Sequence, residues 1–434
     1  MSARVHLVSL GCAKNQVDTE AILGRLLPGG CVLCATAHAA DVLLVNTCAF
    51  IRAAEDESWR HIRALARAKR TGQKLIVCGC LPARHQAAAA RVRGVDAWLG
   101  VRAAAGVAAC VQQWFPLTHA AAPANGVPIR MTPRHSAYLR IADGCDHHCA
   151  FCTIPSLRGR YTSVPLQTLV GDARRMLAEG VRELNLIAQD TSGYGRDLRP
   201  RRSLAELLTA LCALPGLAWL RVQYLYPASV TDELLAVMAR EPAICHYIDM
   251  PLQHINDGLL RHMRRPGRAM TERVLAAIRA RLPGVALRTT FIVGYPGETP
   301  AVFRELCDFV QTGMFQHVGV FPYSAEPGTP AGALPDTVSP REKQRRRAVI
   351  LRLQQRIAYQ HNCAQIGTVM PVIIERNAPG GMHGRRRADA PDVDNCVHVR
   401  GARHLGGQIV PVRITRAEPY DLHGQVVARR ANTV

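Results

Sequence analysis

Lysine is nearly absent from this chain. It occurs at Lys14, Lys69, Lys74 and Lys343 alone, so the other 50 of the 54 basic residues are arginines. Acidic residues number only 33, which leaves a net charge of +21 at neutral pH. A surface that basic gains affinity for phosphate by releasing counterions, and so admits nucleic acid or the ribosome as a partner. The same arginine- and alanine-rich composition also arises from genomic bias, with the arginines forming solvated faces; Arg345 to Arg347 and Arg385 to Arg387 read more readily as such faces than as contacts to ribosomal RNA. Long hydrophobic runs are missing as well. No stretch approaches the roughly 20 apolar residues that a membrane-spanning helix needs. The opening residues, Met1 to Leu10, are strand-like and lack the basic segment, apolar stretch and cleavage site of a secretory signal. The expectation is a cytoplasmic protein with no membrane partner. There is no long internal repeat and no low-complexity tail.

What the chain has in quantity is length and cysteine. Its 434 residues, 48% of them apolar, exceed what one ordinary core organises and imply two or three domains. Its 15 cysteines, in a compartment that keeps thiols reduced, read as metal ligands or buried packing rather than disulfides.

The first 115 residues alternate short apolar strands with helix-like segments rich in Ala, Leu and Arg. Val5 to Leu10, Val42 to Asn46 and Lys74 to Cys78 are continuous apolar-rich runs of the kind buried in a parallel sheet. Each runs out just before a cysteine: Cys12, Cys48 and Cys80. Ligands of open α/β sheets collect outside the carboxyl ends of the strands, so three strands can deliver three thiols to one place. The pair Cys31 and Cys34 has metal-like spacing, but residues three apart on a strand point to opposite faces, which favours packing.

A stretch over 117–133, with Pro123, Asn125, Gly126, Pro128 and Pro133 in it, has no apolar periodicity and reads as a linker. Beyond it, strand candidates recur at Tyr138 to Ala142, Glu183 to Ile187, Trp219 to Gln223, Cys245 to Asp249, Leu287 to Ile292 and His317 to Phe321, separated by helical segments. Six such units imply a parallel, partly closed barrel with its working face at the strand carboxyl ends. An Arg- and Gln-rich helix over Arg341 to Gln365 offers Val349, Ile350, Leu353 and Ile357 as one buried face. After Gly367 come short alternating strands, Thr368 to Ile374, Cys396 to Arg400 and Gln408 to Thr415, which suggest a small β-barrel of about five strands.

The densest chemical signal is Cys145-Asp-His-His-Cys149-Ala-Phe-Cys152, directly after the first strand of the barrel. Three closely spaced thiolates satisfy three irons of a 4Fe-4S cube and leave the fourth open. A zinc site completed by His147 or His148 is the alternative, although a second CxxC is missing. Gly294, Pro296, Gly297 and Glu298 end the fifth strand in a turn that permits close backbone approach to a ligand, or is simply a turn. Gln189 and Asp190 end the second strand, as cofactor contacts or as a loop amide and a helix cap.

The CxxxCxxC run, with Phe151 before its last cysteine, resembles the radical S-adenosylmethionine superfamily. The segments LGCAKNQVDTE, NTCAFI and CGCLPAR around Cys12, Cys48 and Cys80 look like the three cysteine motifs of its methylthiotransferase family, and the likeness spans nearly the whole chain. It implies a fold of three parts: an amino-terminal open α/β (flavodoxin-like) domain over 1–116, a partial (β/α)6 radical core over 134–365 after the 117–133 linker, and a small carboxy-terminal β-barrel of the TRAM type over 366–434. It implies two 4Fe-4S clusters, one on Cys145, Cys149 and Cys152 that binds S-adenosylmethionine at its open iron, and an auxiliary one on Cys12, Cys48 and Cys80 that carries the sulfur to be inserted. Reductive cleavage of one S-adenosylmethionine would yield the hydrogen-abstracting radical, while another would methylate the sulfur. Contacts to that cofactor are expected from Gln189, Asp190, Gly294, Pro296, Gly297 and Glu298.

The wording of LGCAKNQVD, YLYPASVTDELL, YIDMPLQHIND and the tail segments GRRRADAPDVDNCVHV and EPYDLHG is similar to the branch of the family that acts on a ribosomal protein. The implied reaction is β-methylthiolation of an aspartate in protein twelve of the small ribosomal subunit, free or within the subunit. An electron donor such as flavodoxin or ferredoxin is implied too. A transfer-RNA adenosine methylthiotransferase is the neighbouring alternative, and an RNA-binding protein with purely structural or redox-sensing clusters the more distant one.

Overall fold

The computed structural model describes residues 2–85, 92–115, 127–378, 380–401 and 405–427; most of the expected linker, 117–126, lies outside them. The chain divides into two compact units. One comprises 1–132 with 143–147 and 152–162, the other 133–142, 148–151 and 163–434.

The first unit is built on five parallel strands: β1 (Arg4–Ser9), β2 (Val32–Leu33), β3 (Val42–Thr47), β4 (Lys74–Gly79) and β5 (Ala97–Leu99), ordered β2-β1-β3-β4-β5. This is the doubly wound order, in which the chain turns back on itself between β1 and β3 and opens a crevice at their carboxyl ends. Helices α1 (Ala13–Leu26), α2 (Arg52–Ala68), α3 (Cys80–Arg84) and α4 (Ala104–Trp114) complete it. All six residues of β3 are buried because both faces are covered. Val42 and Leu44 join Ile22 and Leu26 of α1 and Val107 and Val111 of α4, whereas Leu43 and Val45 join Ile62 of α2. Cys31 packs into the first of these clusters and Cys34 against the second. The two thiols thus belong to opposite faces of the sheet, as their strand spacing predicts, and Cys78 is packing as well.

Two short strands, β7 (Ala142–Asp143) and β8 (Thr162–Ser163), bracket the cysteine-rich loop and the short helix α5 (Ile154–Arg158). In the second unit, β6 (Ser136–Arg140), β9 (Glu183–Ile187) and β10 (Trp219–Val222) form one parallel sheet, and β11 (Tyr247–Asp249), β12 (Ala286–Val293) and β13 (His317–Pro322) another. A single parallel bridge, Leu220 to Ile244, links them. The result is an open arc of six parallel strands in chain order. The intervening helices are α6 (Leu166–Ala178), α7 (Leu204–Cys212), α8 (Asp232–Arg240), α9 (Asp257–His262), α10 (Arg268–Arg281) and α11 (Pro300–Gln311). Their starts are written in the sequence: Thr231, Asn256 and Thr299 cap by accepting a backbone N–H, and Ser203 with Glu206 forms a reciprocal capping box.

The long helix α12 (Pro340–Cys363) matches expectation in extent but not in how it packs. Val349 and Leu353 are only half-buried, and the buried stripe includes Lys343, Arg346, Gln354 and Asn362. Each of these has partners: Lys343 donates to the Tyr323 carbonyl, Arg346 to that of Glu298, Gln354 to those of Phe315 and Gln316, and Asn362 to those of Glu418 and Tyr420. A polar stripe can be buried because every donor on it finds an acceptor.

The chain ends in a closed five-stranded barrel of β14 (Val369–Ala378), β15 (Gly381–Arg386), β16 (Val397–Arg400), β17 (Ile409–Ala417) and β18 (Leu422–Val426), ordered β14-β15-β16-β18-β17. Val372, Ile374, Val397, Val399, Val412 and Ile414 fill it. Its loop after β15 reaches back to the amino-terminal mouth of the six-stranded arc. There Arg385 and Arg221 clasp the fully buried Glu183, Tyr138 donates to Asp392 (2.7 Å) and Tyr247 to Asp394 (2.6 Å). Arg386 pairs with Asp389, and Arg387 donates to the Ile244 carbonyl. Arg385 is therefore no solvated face but an interior residue of the barrel mouth, and Arg386 and Arg387, half-buried, are tied to its rim. Arg345 does pair with Glu342 at the surface, while its neighbour Arg346 is buried.

Candidate iron-sulfur and cofactor sites

Strands β1, β3 and β4 run in register to their carboxyl ends, with Ser9 beside Asn46 and Asn46 beside Cys78. From there the chain passes at once to a cysteine in each case: Cys12 precedes the first turn of α1, Cys48 directly follows β3, and Cys80 opens α3. Two glycines permit the close approach. Gly11, at φ 93°, has no Cβ to place 2.7 Å from the Cys48 Cβ and 3.0 Å from its Sγ, and Gly79, at φ 98°, lies where a Cβ would strike Asn46 and the Thr47 carbonyl. Side chains then pin the strand ends. Asn46 donates to the Asn15 carbonyl (2.9 Å) and to Thr19 Oγ1 (2.8 Å), and Thr47 donates to the Cys78 carbonyl (2.6 Å). The Cys48 N–H donates to Ser58 Oγ (3.1 Å), whose hydroxyl returns a bond to the Cys48 carbonyl (2.7 Å).

Burial raises the Cys48 thiol and pushes that of Cys80 up to about 12, and the charge of Cys12 adds to both. Three thiols that feel one another at one sheet edge suit a metal group that replaces their protons. One further residue belongs to the site. Arg158 of α5 is buried, with Nη2 2.9 Å from Asp18 and 3.9 Å from Cys80 Sγ, and Nη1 3.2 Å from Asp143. Burial opposes its charge, but Asp18, Cys80 and Asp143 outweigh that and raise its pKa. It is a fixed cation beside the Cys80 thiol. Nothing in the sequence singles it out, because Asp18 lies 140 positions away.

Cys145, Cys149 and Cys152 occupy the loop between β7 and α5 and are all partly exposed. The Cys145 N–H donates to the Gly159 carbonyl (3.1 Å), and Asp146 accepts from the Tyr161 N–H (2.9 Å). Beside Cys149, Ala150 donates to the Met263 carbonyl (3.0 Å) and accepts from the Ala331 N–H (2.8 Å). Arg265 brings a second guanidinium to a cysteine: Nη1 lies 3.8 Å from Cys149 Sγ, with the group stacked 4.3 Å over Tyr226. The strand-end placement and the cation beside a thiol fit a cluster that carries negative charge on its sulfurs.

Of the expected cofactor contacts, Asp190 is buried and closes its own turn, accepting from Ser192 Oγ (2.5 Å) and the Gly193 N–H (3.3 Å). Gln189 lies beside it, half-buried. Gly294 (φ 74°) is required by packing, since a Cβ there would collide with the Lys343 side chain. Glu298 is taken up inside the fold: it accepts the Gly294 N–H and pairs with Arg346 (3.1 Å), with His254 Nε2 3.6 Å from its other oxygen. Gly297 is exposed at the tip and Pro296 buried beneath it. The Glu298 carboxylate thus shapes the turn from inside the fold.

Residues 4–100 match the uncharacterized protein family UPF0004, 139–310 the radical SAM superfamily and 366–427 the TRAM domain. Among solved structures, the radical S-adenosylmethionine methyltransferase TsrM from Kitasatospora setae shares the fold, with a TM-score of 0.56 at 16% identity over 76% of this chain and 77% of that one. Fold and matched regions together define a three-part radical S-adenosylmethionine enzyme. The ribosomal protein uS12 methylthiotransferase RimO of Chloroflexus aurantiacus is 44% identical over 98% of this chain and 100% of its own length. That of Roseiflexus castenholzii is 43% identical over 98% and 96%. The chain belongs to the RimO family of methylthiotransferases.

Proposed function

We propose that this protein adds a methylthio group to the β-carbon of an aspartate in ribosomal protein uS12. The observation that carries this reading is the full-length likeness to RimO proteins, at 44% identity with both chains covered end to end. The two cysteine sets hold two 4Fe-4S clusters: Cys12, Cys48 and Cys80 the auxiliary one, and Cys145, Cys149 and Cys152 the one that binds S-adenosylmethionine. When bound, these groups supply the electron, the hydrogen abstraction and the methylated sulfur. The chain's own part is to position and to insulate. Arg158 and Arg265 each hold a guanidinium near a cysteine of one set, and that of Arg158 opposes the rise that burial gives the Cys80 thiol. Gln189, Asp190 and the turn of Gly294, Pro296, Gly297 and Glu298 lie at carboxyl ends of the barrel strands and line the S-adenosylmethionine pocket, the turn through its backbone.

The three domains are 1–116, 134–365 and 366–434, joined by a linker over 117–133. A flavodoxin or ferredoxin delivers electrons, and the protein works in the cytoplasm; no helix among the described residues is long and apolar enough to cross a membrane. The net charge of +21 supports contact with ribosomal RNA around the substrate protein. The test is anaerobic reconstitution with iron and sulfide, then incubation with S-adenosylmethionine, a reductant and either the aspartate-bearing uS12 peptide or unmodified transfer RNA. Mass spectrometry is expected to find one methylthio group on the peptide alone. The same gain on the RNA alone would overturn the choice of substrate.

A further inference from the structure

The outer face of the terminal barrel carries a group of side chains that neither the radical chemistry nor the core uses. His383 of β15 is opposite His398 of β16, and His398 is opposite His423 of β18. Alternation along each strand sends their neighbours Met382, Val397, Val399 and Leu422 into the core and the three imidazoles outward. They form a row, His383 edge-on to His398 and His398 stacked on His423, with centroids 4.7 Å apart in both cases. They line a surface cavity of about 600 Å³. A histidine ladder alone would be cross-strand packing.

Two donors of other kinds converge on the middle of the row. Cys396, two residues before His398 and therefore on the same face, puts Sγ 3.5 Å from His398 Nε2. Asp421 puts Oδ2 3.2 Å from the same nitrogen, its other oxygen being held by the Cys396 N–H at 3.0 Å. Donor atoms of His383, Cys396 and His398 all lie within 4.8 Å of one another. In a tetrahedral zinc site with metal bonds of about 2.0–2.3 Å, neighbouring donors sit roughly 3.3–3.8 Å apart. Cys396 Sγ and Asp421 Oδ2 already sit at that spacing from His398 Nε2, and the His383 and Asp421 side chains would swing toward each other to close the set.

We propose that the terminal barrel binds one zinc ion through His383, Cys396 and His398, with Asp421 as fourth donor. Two imidazoles, a thiolate and a carboxylate suit zinc better than the hard, all-oxygen preference of magnesium or calcium. His423 is left outside the set, because its Nε2 is occupied by Arg416 (2.7 Å) and Glu418 (2.9 Å). The Arg376 guanidinium, 3.2 Å from His383 Nδ1, competes with the metal, but it is exposed and can exchange that contact for water. Bound zinc would tie β15, the start of β16 and the turn before β18 into one clasp.

The test uses the full chain with both clusters filled, dialysed against micromolar zinc and then desalted. Elemental analysis is expected to find one zinc per chain in the wild type and in C363S, and almost none in H398A or C396S, with iron per chain unchanged in all. X-ray absorption at the zinc edge is expected to show a single sulfur neighbour near 2.3 Å and nitrogen or oxygen near 2.0–2.1 Å. Zinc should raise the melting temperature of the wild type but not of C396S, a conservative change that keeps the barrel intact. A wild type that takes up no zinc, zinc content indifferent to H398A and C396S, or a zinc edge with several sulfur neighbours, as from zinc on cluster cysteines, would each overturn the proposal.

Discussion

Arg158 is the residue on which most of the auxiliary site's electrostatics turns. It balances two buried carboxylates, Asp18 and Asp143, and still reaches toward Cys80. Replacing it by methionine keeps the volume and removes the guanidinium from Asp18, while Asp143 keeps its pair with Arg102; breaking such a buried pair costs about 3–5 kcal/mol. Denaturant unfolding of R158M should show that loss, with a fall in iron per chain, and R158K should recover part of both. Gly11 gives a sharper steric test. An alanine there meets a positive φ and the backbone-anchored Cβ of Cys48, which cannot swing aside. G11A is expected to lose more than about 1 kcal/mol and to bind iron at the Cys145 loop only, as read by iron analysis and electron paramagnetic resonance. G159A, also at positive φ but with open space around it, should pay only the backbone strain and keep its iron.

Among the elements, the contact between the loop after β15 and the mouth of the six-stranded arc carries a pH dependence. Burial alone would raise Glu183, but Arg385 and Arg221 more than offset this and hold it at about 2, below its usual 4.5. Its folded-state pKa is depressed, so the unfolded chain takes up the proton first as pH falls. The stabilisation is complete above about pH 4.5 and is lost progressively toward pH 2. E183Q should be destabilised by about 3–5 kcal/mol at neutral pH, and the gap in unfolding free energy between it and the wild type should close across that same window.

Much at this scale was readable in advance. All six arc strands fall where apolar runs end in loops, and three such runs delivered Cys12, Cys48 and Cys80 to one sheet edge because parallel strands share a direction. Strands β15 and β18 went unread, since GMHGRR and LHGQV place glycine and histidine where a strand pattern wants branched residues. A barrel closed by its neighbours tolerates them. Arg385 and Arg387 read as a basic cluster for a related cause: their partners Glu183 and the Ile244 carbonyl lie far off in the chain, so local composition does not show them. The pairing of Glu298 with Arg346 could not be read in advance, because Arg346 approaches it from a helix that follows much later in the chain.

For the whole molecule, the two cysteine sets should be separable. Replacing Cys12, Cys48 and Cys80 together by alanine leaves the second unit's arc and terminal barrel untouched. Such a variant is expected to keep reductive cleavage of S-adenosylmethionine, seen as 5′-deoxyadenosine by chromatography, and to yield no methylthiolated peptide. Replacing Cys145, Cys149 and Cys152 should abolish both.

The loop carrying Asp389, Asp392 and Asp394 gives the terminal barrel a second occupation as the stopper of a vessel. Tyr138, Glu183, Tyr247, Arg288 and His317 all present polar groups to it from within the arc. A terminal barrel fastened in this way is not a detachable accessory. Cutting the chain at residue 365 would uncork the radical core and leave the buried side chains of Tyr138, Glu183, Tyr247 and His317 facing water. Exchanging this barrel for that of a relative to redirect substrate choice would succeed only if the stopper travels with its matching bore.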